Sequence, residues 1–216
     1  MSEILQLMQH LPDHLQQWAA DYGTGFYAIV AAIIFAETGL VVTPLLPGDS
    51  LLFAVGAVLS LHLPGLELGV MIPTLVAAAV VGDTVNFHVG RYMASRLFNS
   101  YESRWLNRKY LDRTQAFFEK HGGKTVILAR FLPIVRTYAP FVAGLSGMAY
   151  PLFLFFSVAG GALWISLFVV VGYYFGNLPQ VRSNFHYAIL GIVAVSLAPI
   201  AIEMLRGWKR ERATSS

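Results

Sequence analysis

The chain has no cysteine and few charges. With no cysteine in 216 residues, a disulfide framework and a thiolate metal site are excluded, and cysteine usage gives no redox compartment. Lys, Arg, Asp and Glu make up 12% of the residues, against about 25% in an ordinary soluble domain. Residues 1–23 contain no Lys or Arg, only the acids Glu3, Asp13 and Asp21. That stretch lacks the basic start and unbroken apolar run of a secretory signal, so none is expected. What replaces the missing charge is apolar: 56% of the chain is hydrophobic and its mean hydropathy is +0.59. The length suits one domain of roughly 100–200 residues. The composition puts that domain in a bilayer.

A membrane-spanning helix needs ~20 predominantly apolar residues. Residues 68–90, 152–176 and 186–205 meet that length. Residues 24–61 and 124–148 are apolar but broken. The first contains Glu37, Pro44, Pro47, Gly48 and Asp49; the second contains Arg130, Pro133, Arg136 and Pro140. Backbone released from helical bonding cannot face lipid, but it can line a cavity inside the protein. Both stretches are therefore expected to be re-entrant hairpins.

The two halves share a plan. Residues 1–22 place Ile4, Met8, Leu11, Leu15 and Trp18 at helical spacing, as expected of an interfacial helix or of one packed on a protein partner. Leu106, Tyr110, Phe117 and Phe118 do the same in the second half, and YGTG (22–25) and HGGK (121–124) introduce the two hairpins. The fold class expected is an all-α polytopic membrane protein with one membrane domain over 1–216. Within it, an inverted repeat sets two opposed re-entrant hairpins among transmembrane helices. Residues 91–124 hold eight of the 15 Lys and Arg, and 206–216 hold four more. The positive-inside rule puts the 91–123 loop and the basic 206–216 tail in the cytoplasm and leaves the N-terminus outside.

Charges inside such a chain need a reason. An Asp, Lys or Arg at a helix centre costs ~2.5–3.5 kcal/mol on insertion scales. For Glu37, Asp49, Arg130 and Arg136 together that is roughly 10–14 kcal/mol, as large as a domain's net stability of ~5–15. Two acids in one hairpin and two arginines in the other neutralise each other if the hairpins meet. On an unbroken helix Arg130 and Arg136 would point ~120° apart; Pro133, midway between them, can break that helix and let both face one cavity. Pro47-Gly48 fits a turn at a hairpin tip, with Asp49 and Ser50 capping the helix that follows. The planar fork of arginine suits phosphate or carboxylate. Two arginines beside two titratable acids make an anion site with a proton switch. The competing account is a set of buried ion pairs that only hold the hairpins together.

Three stretches, ETGLVVTPLLPGDSLLF (37–53), VVGDTVNFHVGR (80–91) and EKHGGKTVILARFLPIVRTYAPFVAGLSGM (119–148), closely resemble the DedA family of bacterial inner-membrane proteins. The resemblance covers nearly the whole chain. It implies the bacterial inner membrane as location and return of undecaprenyl phosphate to the cytoplasmic face as function. It also implies proton-motive-force dependence and a role in envelope integrity. Other members are linked to phosphatidylethanolamine movement, and eukaryotic VTT relatives include lipid scramblases. By the same resemblance, Glu37, Asp49, Arg130 and Arg136 fall on positions the family treats as functionally essential. The mechanism expected is that Arg130 and Arg136 bind the lipid phosphate while its tail stays in lipid. Glu37 and Asp49 hold the arginines when the site is empty, and protonation of a carboxylate frees an arginine. The rivals are a general phospholipid scramblase and a non-transporting membrane-assembly factor.

Smaller signals complete the expectations. Asp83 and Asn86 share a helical face and either join the cavity or bond between helices. Pro140 and Gly144 support the second hairpin. Arg91 and Arg96 anchor the interface. Trp164 either packs or lines the path of the lipid tail. Gly172 and Gly176 form a small-xxx-small pattern read as close helix packing. GLSG (144–147) echoes an intramembrane-protease nucleophile, but only His88 and His186 fall in proposed spans, both near an end, so packing explains it better. His10 and His14 lack the acid of a metal-binding HExxH. No metal, no cofactor and no enzymatic activity are expected. The basic loop is better matched to anionic lipid than to nucleic acid. The partners expected are a polyprenyl phosphate or phospholipid substrate and the membrane, and the sequence allows a homo-oligomer.

Overall fold

The computed structural model of the chain describes residues 2–39, 48–99, 126–127, 130, 133–178 and 181. These residues contain helices and no strand: α1 (Ser2–Tyr22), α2 (Gly25–Gly39), α3 (Gly48–Leu59), α4 (Leu68–Asn99), α5 (Pro133–Leu145) and α6 (Tyr150–Phe175). Two are long and apolar enough to cross a membrane, α4 over Leu68–Ala94 and α6 over its whole length; at 1.5 Å per residue each measures ~40 Å. Both carry outward apolar stripes, with Val81, Val85 and Val89 on α4 and Leu152, Phe155 and Leu163 on α6 exposed. Large exposed apolar faces are what a lipid-embedded surface requires. Helices α2, α3 and α5, of 15, 12 and 13 residues, reach only about 18–22 Å, short of the ~30 Å hydrocarbon core.

Each helix is placed by its apolar stripe. On α2 the buried positions are Phe26, Val30, Ile34, Glu37 and Thr38, a helical period that carries an acid into the interior. On α4 the buried stripe runs through Met71, Leu75, Ala79, Asp83, Asn86 and Phe87. Helix α3 is apolar on all sides, as a central helix must be: every residue from Gly48 to Leu59 is buried except Asp49. It packs along α6 and is covered by α1, while α2 and α5 both pack along α4.

The two tightest crossings obey one pattern. Phe53-Ala-Val-Gly56 on α3 meets Val169-Val-Val-Gly172 on α6, and Phe87-His-Val-Gly90 on α4 meets Phe141-Val-Ala-Gly144 on α5. In each, the glycine lies on the backbone carbonyl of the residue three positions before the partner's glycine: Gly56 on Val169, Gly172 on Phe53, Gly90 on Phe141 and Gly144 on Phe87. A Cβ at any of the four would overlap that carbonyl. Gly172 and Gly176 are thus close-packing positions, the latter against Ala57.

Several expectations need correcting. The span expected to end at 90 continues helical to Asn99, because no proline follows Pro73 to stop it. Helix α1 does not lie alone at an interface, since Leu15 and Ala19 are buried in the main core; Trp18 stays partly exposed. Pro133 does begin α5, where a missing N–H costs nothing, but Pro140 lies inside α5 without ending it. It removes only the N–H that would bond the Arg136 carbonyl. Asp49 and Ser50 stand inside the first turn of α3, and the Asp49 carboxylate bonds side chains rather than capping. GLSG is a helix end: Met148 N–H donates to Ala143 O at 3.2 Å, Gly147 takes φ 76°, and Ser146 Oγ donates to Ala143 O, the pattern of a glycine C-cap. Pro44 and Pro47, the 186–205 span, the 206–216 tail and the 100–123 part of the basic loop lie outside the described residues.

Gly56→Ala should destabilise the protein by about 1–3 kcal/mol, the range for overpacking a filled crossing. Gly69→Ala, where an added Cβ has nothing within 4 Å, should be neutral or stabilising by up to ~1 kcal/mol. Equilibrium unfolding in mixed micelles measures both.

Candidate functional site

Five charged side chains meet inside this framework, in two groups. Arg136, from the first turns of α5, is bound on two edges. Its Nη1 donates to Asp49 Oδ1 at 2.5 Å and its Nη2 donates to Glu37 Oε1. Glu37 comes from the end of α2 and Asp49 from the start of α3, so the facing ends of two helices bring both acids to one arginine. Gly48 makes the approach feasible, because a Cβ there would overlap the Glu37 carboxylate. Trp164 of α6 closes a third side. The Arg136 guanidinium lies over its ring at 4.7 Å, and its Nε1–H donates to Asp49 Oδ1 at 2.9 Å.

Arg130 stands apart from that group. Its Nη2 donates to Asp83 on α4 and, at 3.1 Å, to Ser157 on α6. The Ser157 hydroxyl in turn donates to Asp83 Oδ2 at 2.6 Å. The side chain packs over Gly160 and Gly161; a Cβ would be tight against it at Gly160 and in ordinary contact with the guanidinium at Gly161. Asn86, one turn along from Asp83, ties the groups together. Its Nδ2 donates to the carbonyls of Thr38 at 3.3 Å and Thr137 at 2.8 Å, the residues next to Glu37 and Arg136. The site is buried except at Asp49: the side chains of Glu37, Asp83, Arg130 and Arg136 are 2–9% exposed.

Residues 46–174 match the VTT domain, a range that holds every residue just named except Glu37 and Thr38. The chain is 49% identical over 203 residues to Protein DedA of Escherichia coli K12, covering 94% of this chain and 93% of that protein. The chain belongs to the DedA family. It is also 39% identical over 214 residues to an uncharacterised membrane protein of Mycobacterium tuberculosis H37Rv, covering 98% of this chain and 94% of that one. Inner membrane protein YqjA of Escherichia coli K12 is 33% identical over 188 residues, 83% of this chain and 81% of its own. No solved structure matches the chain.

Set against the expectations, this DedA-family site is rearranged. Glu37 and Asp49 do meet an arginine of the other half, but both hold Arg136, while Arg130 takes Asp83. Partner choice follows the helix crossings: α4 brings Asp83 under the turn that carries Arg130. Asn86 bonds between helices. Gly144 packs α5 on α4 away from the charges, and Ser50 is buried beside Asp49. Pro47 lies outside the described residues. Nothing in the sequence marks Ser157, and the expectation for Trp164 is packing or the tail path, whereas it contacts Arg136 and Asp49. The signal that finds both is position, since each shares the buried stripe of α6 with Phe153, Gly160, Gly161 and Phe168.

Asp83→Ala leaves Arg130 buried and unpaired and should cost about 3–5 kcal/mol. The double variant Asp83→Ala/Arg130→Met should recover most of that loss. Unfolding equilibria of the two variants in one detergent system provide the comparison.

Proposed function

We propose that this DedA-family protein is a proton-linked lipid-phosphate carrier that returns undecaprenyl phosphate across the bacterial inner membrane. One observation carries the proposal: Arg136 is buried in an apolar helical core and, among the described residues, its charge is met by two titratable carboxylates, Glu37 and Asp49. A phosphate headgroup offers the same bidentate oxygens as those carboxylates, so it can replace them on the guanidinium. Exchange of one anion for another keeps the arginine paired throughout, which removes the large cost of an isolated buried charge. The isoprenoid tail stays among the lipid chains along the exposed stripes of α4 and α6.

The charge count favours a proton in the cycle. Among the described residues, Glu37, Asp49 and Asp83 oppose Arg130 and Arg136, one negative charge in excess when all are ionised. Arrival of a phosphate adds more, and protonation of a carboxylate relieves it. In this reading α2–α3 and the arm ending in α5 are opposed re-entrant hairpins related by an inverted repeat. The matched glycine crossings of α3 on α6 and α5 on α4 support that relation. The C-terminus and the 91–123 segment face the cytoplasm, the N-terminus the other side. Arg130 serves as a second phosphate-binding position once Asp83 and Ser157 release it.

The experiment is reconstitution of the full chain in liposomes with a labelled polyprenyl phosphate and, separately, labelled phosphatidylethanolamine. Polyprenyl phosphate should cross, and Arg136→Ala, still folded, should slow it about 10- to 100-fold, the value of a charge-assisted hydrogen bond. Movement of phosphatidylethanolamine alone would make the protein a phospholipid scramblase. Movement of neither by a folded wild type would leave a non-transporting assembly factor.

A further inference from the structure

The two acids that hold Arg136 are not equivalent. Asp49 Oδ1 accepts two hydrogen bonds, from Arg136 and from the Trp164 indole. It also stands in the first turn of α3, where unbonded N–H groups favour a negative charge, and its side chain is 14% exposed. Glu37 sits at the opposite kind of helix end, in the last turn of α2, where the carbonyls disfavour one. Its side chain is 2% exposed, and among the described residues Arg136 is its one cationic partner and its Oε2 is buried without a side-chain hydrogen bond.

If Arg136 leaves, Asp49 therefore keeps the Trp164 indole as a side-chain donor, whereas among the described residues Glu37 keeps only the Gly48 backbone N–H. We propose that Trp164 is a positioning residue of this site: its indole N–H holds the Asp49 carboxylate in place while Arg136 turns to the lipid phosphate, so that Glu37 is the carboxylate that takes up the proton. This inference rests on the lipid-phosphate reading above. The proton comes from water and adds to a Glu37 carboxylate oxygen; no other bond is made or broken. The Trp164 ring under Arg136 gives the guanidinium an apolar face to pivot on, and cation–π attraction keeps it near the site in both positions.

The other groups around Glu37 do not change this. From α3 it faces Asp49 and the Gly48 backbone, and from α5 it faces Arg136. Helix α4 presents Asp83, committed to Arg130 and Ser157, and Asn86, committed to Thr38 and Thr137. Helix α1 exposes its own Asp13, His14 and Asp21.

The test reads protonated carboxyls directly, by infrared difference spectra of the reconstituted full chain as pH is lowered. Arg136→Gln stands for the departed arginine and needs no lipid ligand. That variant should show a protonated-carboxyl band that Glu37→Gln removes and Asp49→Asn leaves. Adding Trp164→Phe, which keeps the ring and loses the N–H, to Arg136→Gln/Glu37→Gln should bring a band back, now from Asp49. A tryptophan that only packs would restore nothing, and that result overturns the proposal. So does a band that follows Asp49 rather than Glu37. If Arg136→Gln does not fold, chains that keep Arg136 decide, through proton uptake from weakly buffered solution on adding farnesyl phosphate. Uptake should occur in wild type and Asp49→Asn and be lost in Glu37→Gln. The reverse order overturns the assignment, whereas failure of wild type to bind farnesyl phosphate overturns the lipid-phosphate reading beneath it.

Discussion

Everything in this structure is arranged around the need to keep a guanidinium paired where neither water nor lipid can solvate it. Arg136 sits at the junction of α2, α3, α5 and α6, and each supplies a part: Glu37, Asp49, the arginine itself and Trp164. Isolated, such a charge would cost several kcal/mol. With two carboxylate edges and an aromatic face it is tolerated. The short helices follow from the same need. An unbroken span would carry its acids past the arginine at whatever depth 3.6 residues per turn dictates, whereas two short helices ending at one depth deliver an acid each. The glycine crossings then let α3 and α5 approach the spans closely enough for the reach to be met.

The second pair extends the arrangement. Arg130, Asp83 and Ser157 link the turn before α5 to both long helices, and Asn86 links the flanks of the first group. Five helices, α2 to α6, are cross-braced by polar contacts in an apolar interior. Polar networks of this kind are stable only when nearly every member is satisfied, and among the described residues the departures are Glu37 Oε2, Asn86 Oδ1 and Arg130 Nε. Those atoms mark where an added proton, or an anion in place of a carboxylate, changes the balance most.

Much of this was legible in the sequence, for identifiable reasons. Glu37 shares a helical period with Phe26, Val30 and Ile34, so its burial follows from spacing alone, and the same holds for Asp83 and Asn86 on α4. Pro133 announced where α5 begins. The pairing of Arg130 was not legible, because it depends on how α4 and α6 come together beneath a turn, which joins residues far apart along the chain. Trp164 and Ser157 were hidden by their own ordinariness: an indole or a hydroxyl in a span usually packs or bonds to its own helix. The length of α4 is not legible because Arg91 and Arg96 end the apolar run without ending the helix.

The central claim is that these charges are kept for transport rather than to hold the fold. The most direct measurement compares Arg136→Gln with the fully neutral Glu37→Gln/Asp49→Asn/Arg136→Gln chain, for both unfolding free energy and movement of a labelled polyprenyl phosphate. The neutral chain should regain most of the stability that Arg136→Gln loses, since buried pairs replaced together are often close to neutral, and should still move no lipid. A neutral chain that stays as unstable as the single variant, or one that carries lipid at the wild-type rate, would contradict the account.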